Sequence, residues 1–154
     1  MLFRSGCQEG GPHVGRWEVG ERYARNLIND LNRWTVGWID WNLLLNEYGG
    51  PNHVGNFCSA PILADTAHGT LMHQSAYWVL GHFARFIQPG ARRVQSQSMQ
   101  DIDCTAFTNP DQSTVLVASN PHDRAQRGML CIDNQAWLCE LPARSIATFV
   151  AGTR

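Results

Sequence analysis

The residues with the most chemical potential lie between Val36 and Phe57, in the stretch VGWIDWNLLLNEYGGPNHVGNF. Trp38 and Trp41 flank Asp40, and Asn42, Asn46, Asn52 and Asn56 follow. Flat indole rings cover the apolar face of a pyranose, and amide or carboxylate oxygens take its hydroxyls. Such a site needs a rigid scaffold and a loop to shape it. A buried strand with aromatic core residues and a polar turn would use the same residues, so composition leaves both readings open.

The elements that would position these groups follow from periodicity. Val36, Trp38, Asp40 and Asn42 alternate with Ile39, Trp41 and Leu43, which predicts a strand. Gly49-Gly50-Pro51-Asn52 ends it in an irregular loop. Upstream, Tyr23, Leu27, Ile28 and Leu31 share one helical face, which predicts a helix from Val14 to Asn32. Glu18 and Glu21 near its start and Arg33 at its end suit the helix dipole. Downstream, Ile62 to Ala64 reads as a short strand and Asp65 to Thr70 as a turn. Tyr77, Val79, Leu80, Phe83 and Phe86 form a second helix, with His82 and Arg85 facing outward and Gln88-Pro89-Gly90 as its stop. After Arg93 the period becomes two. Strands are predicted over Ile102–Thr108, Thr114–Ser119, Gly128–Asp133, Ala136–Leu141 and Ser145–Val150, an all-β module consistent with a sandwich.

Composition narrows the function classes. The 154 residues are 44% apolar and 16% charged, which favours a globular core over long disorder. A net charge of -1 gives no electrostatic basis for binding nucleic acid or an anionic membrane. All 12 basic residues are arginine, and only Arg92 and Arg93 are adjacent, so no arginine-lined anion site is indicated. Five cysteines with no CxxC pair argue against a zinc ribbon and a full disulfide framework. Reduced thiols are expected, with a Cys131–Cys139 bridge across a hairpin as the alternative. His68 and His73 lack the spacing of a helical metal pair, so no metal is expected. No run reaches the roughly 18 to 20 apolar residues of a membrane helix. The opening MLFRSGCQEGG has no signal-peptide pattern.

The segment GWIDWNLLLNEYGGPNHVGNF resembles the region of the last barrel strand in glycoside hydrolase family 30, the glucosylceramidase-like enzymes. The similarity extends upstream through MLFRSGCQEGGPHVGRWEVGERYARNLINDLNRWTVGW. Downstream it takes in APILAD, YWVLGHFARFIQPGARRV and DCTAFTNPDQSTVLVASN. It covers nearly the whole chain and corresponds to the C-terminal third or so of the family. The implied fold is α/β plus all-β: the last strands and helices of a (β/α)8 TIM barrel, then a β-sandwich. Residues 1–90 would be the C-terminal part of the catalytic barrel and residues 91–154 an incomplete sandwich module. The family completes that sandwich with strands from the N-terminal part of the parent chain, expected to be missing here. An unpaired edge or exposed apolar face should result. Trp137 is the ring this module would offer to a carbohydrate.

The resemblance also implies an activity, retaining hydrolysis of a β-glucoside such as a glucosylated lipid. A carboxylate nucleophile and a carboxylic acid would act by double displacement, without a cofactor. Where the family pattern runs aromatic, variable, Glu, small, Cys, this chain has Phe3, Arg4, Ser5, Gly6 and Cys7. Ser5 therefore stands at the nucleophile position, and Cys7 follows in the pocket. Trp41 would lie against the sugar, Asn56 and Phe57 would shape the rim, and Asp40 sits beside Trp41. His53 replaces an aromatic found in some relatives. The family's acid/base glutamate falls on an earlier strand than any in this sequence. The chain alone is thus expected to be inactive and, with two barrel strands, aggregation-prone or only partly ordered.

Overall fold

The computed structural model describes residues 2–4, 11–51, 54–98, 101–132 and 135–152, the first three by their backbone. The chain begins with β1 (Leu2–Arg4), α1 (Trp17–Asn32) and β2 (Gly37–Ile39). β1 and β2 are parallel neighbours, with Phe3 opposite Trp38. Two parallel strands joined through a helix are the repeating unit of a (β/α)8 barrel. Helix α1 starts three residues later than its periodicity predicts. Gly15 takes φ +73° and Arg16 is extended, so the backbone turns before it coils. At the other end the Trp34 amide donates to the Leu31 carbonyl and the Thr35 amide to that of Asp30. This double closure needs a left-handed residue, and Trp34 supplies it with φ 68°. A bulky side chain is disfavoured there. Trp34 gains in return the Arg93 guanidinium, 4.3 Å above its ring.

The strand expected to run unbroken from Val36 to Leu43 stops at Ile39. Asp40 Oδ1 accepts the amide of its own neighbour Trp41 at 2.7 Å. A side chain that captures the next peptide offers the backbone an alternative to the pleat. A separate sheet follows, made of β3 (Leu44–Asn46), β4 (Ile62–Asp65) and β5 (Thr70–His73), in that order. β3 and β4 are parallel, whereas β4 and β5 form a hairpin. Leu45, Leu63, Cys58 and Ala60 are buried together, with Met72 against them. The hairpin partner β5 was not expected, because Thr70–His73 is too short to display a period.

Helix α2 (Ser75–Ala84) leads into the β-sandwich. Its strands are β6 (Arg92–Val94), β7 (Asp103–Thr108), β8 (Thr114–Asn120), β9 (Gln126–Ile132), β10 (Gln135–Leu141) and β11 (Ser145–Ala151). Antiparallel pairing sets one sheet in the order β11-β8-β7-β6, and β9 with β10 forms the facing layer. The short β6 is the strand that the alternation did not reveal. One face of the larger sheet carries Val115 and Val117, which join Ala24, Leu27 and Ile28 of α1 and Val79 and Phe83 of α2 in the main core. The opposite face, with Cys104, Leu116 and Ala118, looks across a cavity of about 100 Å³ at Leu130, Cys139 and Leu141. Among the described residues β9 and β10 pair only with each other, and Met129 and Leu138 are exposed.

Polar contacts fix the layers in register. Gly20 allows α1 to approach α2, since a Cβ there would lie 2.8 Å from that of Ser75. Ser75 Oγ accepts the Gly20 amide at 3.0 Å and donates to the Arg16 carbonyl at 2.7 Å. Buried Asn109 donates through Nδ2 to the Phe86 carbonyl (2.9 Å) and to Ser113 Oγ (3.0 Å). Its Oδ1 accepts the Gln88 amide at 3.0 Å. Arg144 meets Glu21 of α1 at 2.6 Å, and Asn32 donates to the Cys104 carbonyl at 2.8 Å. His82, expected to face outward, instead turns towards β11, with Nδ1 2.9 Å from Thr148 Oγ1. Cys58 is disulfide-bonded, contrary to the expectation of reduced thiols. Cys104, Cys131 and Cys139 are free, and the hairpin register sets Cys131 opposite Ala136 and Cys139 opposite Gly128, not opposite each other.

Two outcomes follow from these contacts. Asn109→Ala should lower the unfolding free energy by about 2–3 kcal/mol, because it strands several buried partners. Urea melts followed by circular dichroism measure the loss. Burial lowers the pKa of His82. The unfolded chain therefore takes up this proton first as pH falls. The contribution is complete above about pH 6.5 and is lost on acidification through the folded pKa below it. Replacing His82 with Gln should flatten the stability profile between pH 7 and pH 5, a window above that of the carboxylates.

Candidate functional site

The C-terminal end of a barrel strand is where this architecture places its chemistry. β2 ends at Ile39, and Asp40 and Trp41 follow immediately. Trp41 is 49% exposed, and its apolar neighbours Ile39 (51%) and Leu43 (68%) are exposed as well. Asp40 is half-buried. The Tyr23 hydroxyl, from α1, lies 2.9 Å from Asp40 Oδ2 and 3.2 Å from Oδ1, and Oδ1 also accepts the Trp41 amide. Trp38 packs its ring against Tyr23, with centroids 5.6 Å apart and planes at 62°. Its Nε1 donates to Asp30 Oδ2 at 3.3 Å. The helix tyrosine thus holds the Asp40 carboxylate, and the strand tryptophan packs on that tyrosine and bonds Asp30.

The second part of the site is the loop that leaves β3. Asn46 is its organiser. The Oδ1 atom accepts the amides of Tyr48 (3.1 Å) and Gly50 (2.8 Å), and its own amide donates to the Gly50 carbonyl at 2.7 Å. The returning chain is tied down where the Cys58 amide donates to the Gly49 carbonyl at 2.9 Å. Gly49 has φ +85°, and a Cβ there would collide with the Cys58 carbonyl oxygen. The Gly11 amide donates to the Phe57 carbonyl at 2.6 Å, which seats the segment before α1 beside this loop. Asn56 is exposed, and the Phe57 side chain is 46% exposed.

Among the site residues expected from the sequence, Asp40 and Trp41 are brought together at the end of β2, and Asn56 and Phe57 lie on the glycine-rich loop. Ser5 and Cys7, and also His53, lie outside the described residues. Tyr23 and Asn46 were missed as site-building groups. Tyr23 looked like one more member of an apolar stripe. Asn46 was legible as an asparagine three residues ahead of the Gly49-Gly50 pair, a common turn former.

Other polar groups are committed to structure. The Glu47 carboxylate accepts from Thr66 Oγ1 (2.7 Å) and from the Thr66 amide (3.1 Å), which ties the end of β3 to the β4–β5 turn. These bonds, the hydroxyl's first, lower the Glu47 pKa. Hydrogen bonding from His68 does the same for Asp65. Among the described residues no group of three His, Cys, Asp or Glu side chains is placed to hold a metal, and no helix is long and apolar enough to cross a membrane.

Comparison with known proteins agrees with this architecture. Residues 4–87 match the glycosyl hydrolase family 30 TIM-barrel domain, and residues 90–149 match the glycosyl hydrolase family 30 beta sandwich domain. The lysosomal acid glucosylceramidase of Mus musculus is 38% identical over 128 residues, 78% of this chain and 25% of that protein. Putative glucosylceramidase 4 of Caenorhabditis elegans is 34% identical over 116 residues, 73% of this chain and 22% of its own length. The crystal structure of SrfJ from Salmonella typhimurium superposes with a TM-score of 0.90 at 32% identity, covering 99% of this chain and 35% of that one. This chain belongs to glycosyl hydrolase family 30. It spans about a quarter of the length of the two glucosylceramidases.

The loop geometry is directly testable. Gly49→Ala should release the Cys58 amide, because alanine at φ +85° is strained and meets backbone. Hydrogen exchange at Cys58 should accelerate by at least about tenfold, as for a lost hydrogen bond. Exchange at the buried positions of α1 should stay unchanged.

Proposed function

We propose that this chain supplies the C-terminal wall of a retaining β-glycosidase site, of the type that hydrolyses β-glucosides such as glucosylated lipids. The observation that carries this reading is the half-exposed Trp41 ring at the C-terminal end of β2, backed by a fixed carboxylate. An indole held there covers the apolar face of a glucose ring, and Asn56 and Phe57 form the rim beside it. The names of the curated relatives support a glucoside over other sugars.

The wall alone does not catalyse. Double displacement needs one carboxylate to attack the anomeric carbon and one carboxylic acid to protonate the leaving oxygen. Ser5 stands where the family pattern has the attacking glutamate. A serine hydroxyl is neither anionic nor, in the absence of an adjacent base, nucleophilic enough for an oxocarbenium-like transition state. The polypeptide of 154 residues is accordingly a sugar-facing, non-hydrolytic piece of the architecture.

The test is an assay of the purified chain with a chromogenic aryl β-glucoside, alongside a titration with the same glycoside followed by tryptophan fluorescence. Binding without turnover is expected, and Trp41→Ala should abolish the fluorescence response. Turnover above the uncatalysed rate, lost on Trp41→Ala, would overturn the non-hydrolytic reading. A response unaffected by Trp41→Ala would remove Trp41 from the sugar site.

A further inference from the structure

Resting on the reading of Trp41 as the sugar-facing ring, we propose that Tyr23 is a positioning residue for this site. Its hydroxyl fixes Asp40, and Asp40 fixes the backbone from which the Trp41 ring projects. Helix α1 belongs to the outer layer, and its apolar stripe would be complete with any large side chain at position 23. A hydroxyl there is explained by what it reaches. It lies within hydrogen-bond distance of both Asp40 oxygens and closer to Oδ2, which leaves Oδ1 directed at the Trp41 amide only 2.7 Å away. The two oxygens are thus divided between a helix and a turn.

Mechanical support comes from the same neighbours. The Tyr23 ring meets Trp38 edge-on, and Trp38 is pinned through Nε1 to Asp30 on α1. The tyrosine therefore cannot swing away without disturbing strand β2. Asp40 has no regular strand pairing to hold it, because β2 has already ended at Ile39. With the carboxylate anchored, the Trp41 peptide has one orientation and its Cβ points one way.

The experiment uses the full chain and three substitutions, Tyr23→Phe, Asp40→Asn and Asp40→Ala, with two readouts. One is hydrogen exchange at the Trp41 amide without ligand. The other is affinity for phenyl β-D-glucopyranoside. Tyr23→Phe keeps the packing and removes only the hydroxyl. It should speed exchange at Trp41 by about tenfold and weaken the glycoside by a similar factor, the size of one hydrogen bond. Asp40→Asn keeps an oxygen for the Trp41 amide and sets an N–H donor against the Tyr23 oxygen, so it should stay within about threefold of the parent, whereas Asp40→Ala should match or exceed the loss in Tyr23→Phe. Exchange at Leu27 and Ile28, in the core of α1, should not move in any of them.

Unchanged exchange at Trp41 in Tyr23→Phe would overturn the positioning role whatever the ligand does. An Asp40→Asn loss as large as that of Asp40→Ala would also overturn it, by showing that the charge acts itself. Faster exchange with unchanged affinity would overturn the link to the sugar. Trp41→Ala then separates this result from a failure of the site reading. If it too leaves affinity unchanged, Trp41 is not the sugar-facing ring.

Discussion

Everything in this molecule depends on one buried contact, the stripe of α1 and α2 lying on the β7–β8 sheet. Val79, Val115 and Val117 are completely buried there, with Ile28 almost equally so. Two short parallel strands and two helices cannot enclose a core by themselves. The sandwich sheet provides the surface that the helices cover, and the helices bury one of its faces. Side chains such as these contribute roughly 1.5–3 kcal/mol each when fully buried. The stiffness that results is what lets a turn at the end of β2 hold a defined shape.

The site is correspondingly a matter of backbone held by side chains. Asp40, Asn46 and Gly49 place little chemistry of their own in the open. They determine where Trp41, Asn56 and Phe57 stand. Asp40 does so by capturing the peptide that follows it, Asn46 by capping the turn beyond β3, and Gly49 by leaving room for the Cys58 carbonyl. An exposed indole is useful to a ligand only when its direction is fixed. The groups that fix it are themselves partly or fully shielded from solvent.

Much of this organisation was legible in the sequence, for identifiable reasons. Both helices announce themselves by an apolar stripe, and the strands from β7 to β11 by alternation between turn formers. The change of period after Arg93 marks the passage from helices to sandwich. What escaped was governed by contacts distant in sequence or by elements too short for a period. β5 and β6 have 4 and 3 residues. His82 looked like a solvent-facing polar residue because its partner, Thr148, lies 66 positions away. Within the site, the Trp41–Asn56–Phe57 set came from resemblance, whereas Tyr23 was hidden inside a hydrophobic pattern that it also satisfies.

The joint between the helical layer and the sandwich has a consequence for how such chains diversify. The two family matches meet near residues 87–90, which invites the idea of interchangeable modules. Yet Asn109 reaches back to Phe86, Arg93 stacks on Trp34, and Arg144 grips Glu21. A recombination event with its breakpoint at that seam would exchange two contiguous pieces of gene but divide one core and the complementary contacts across it. Swaps between distant relatives would therefore fail unless both halves carried matching surfaces. Inheritance should favour the pair travelling together, with drift in one half tracked by drift in the other.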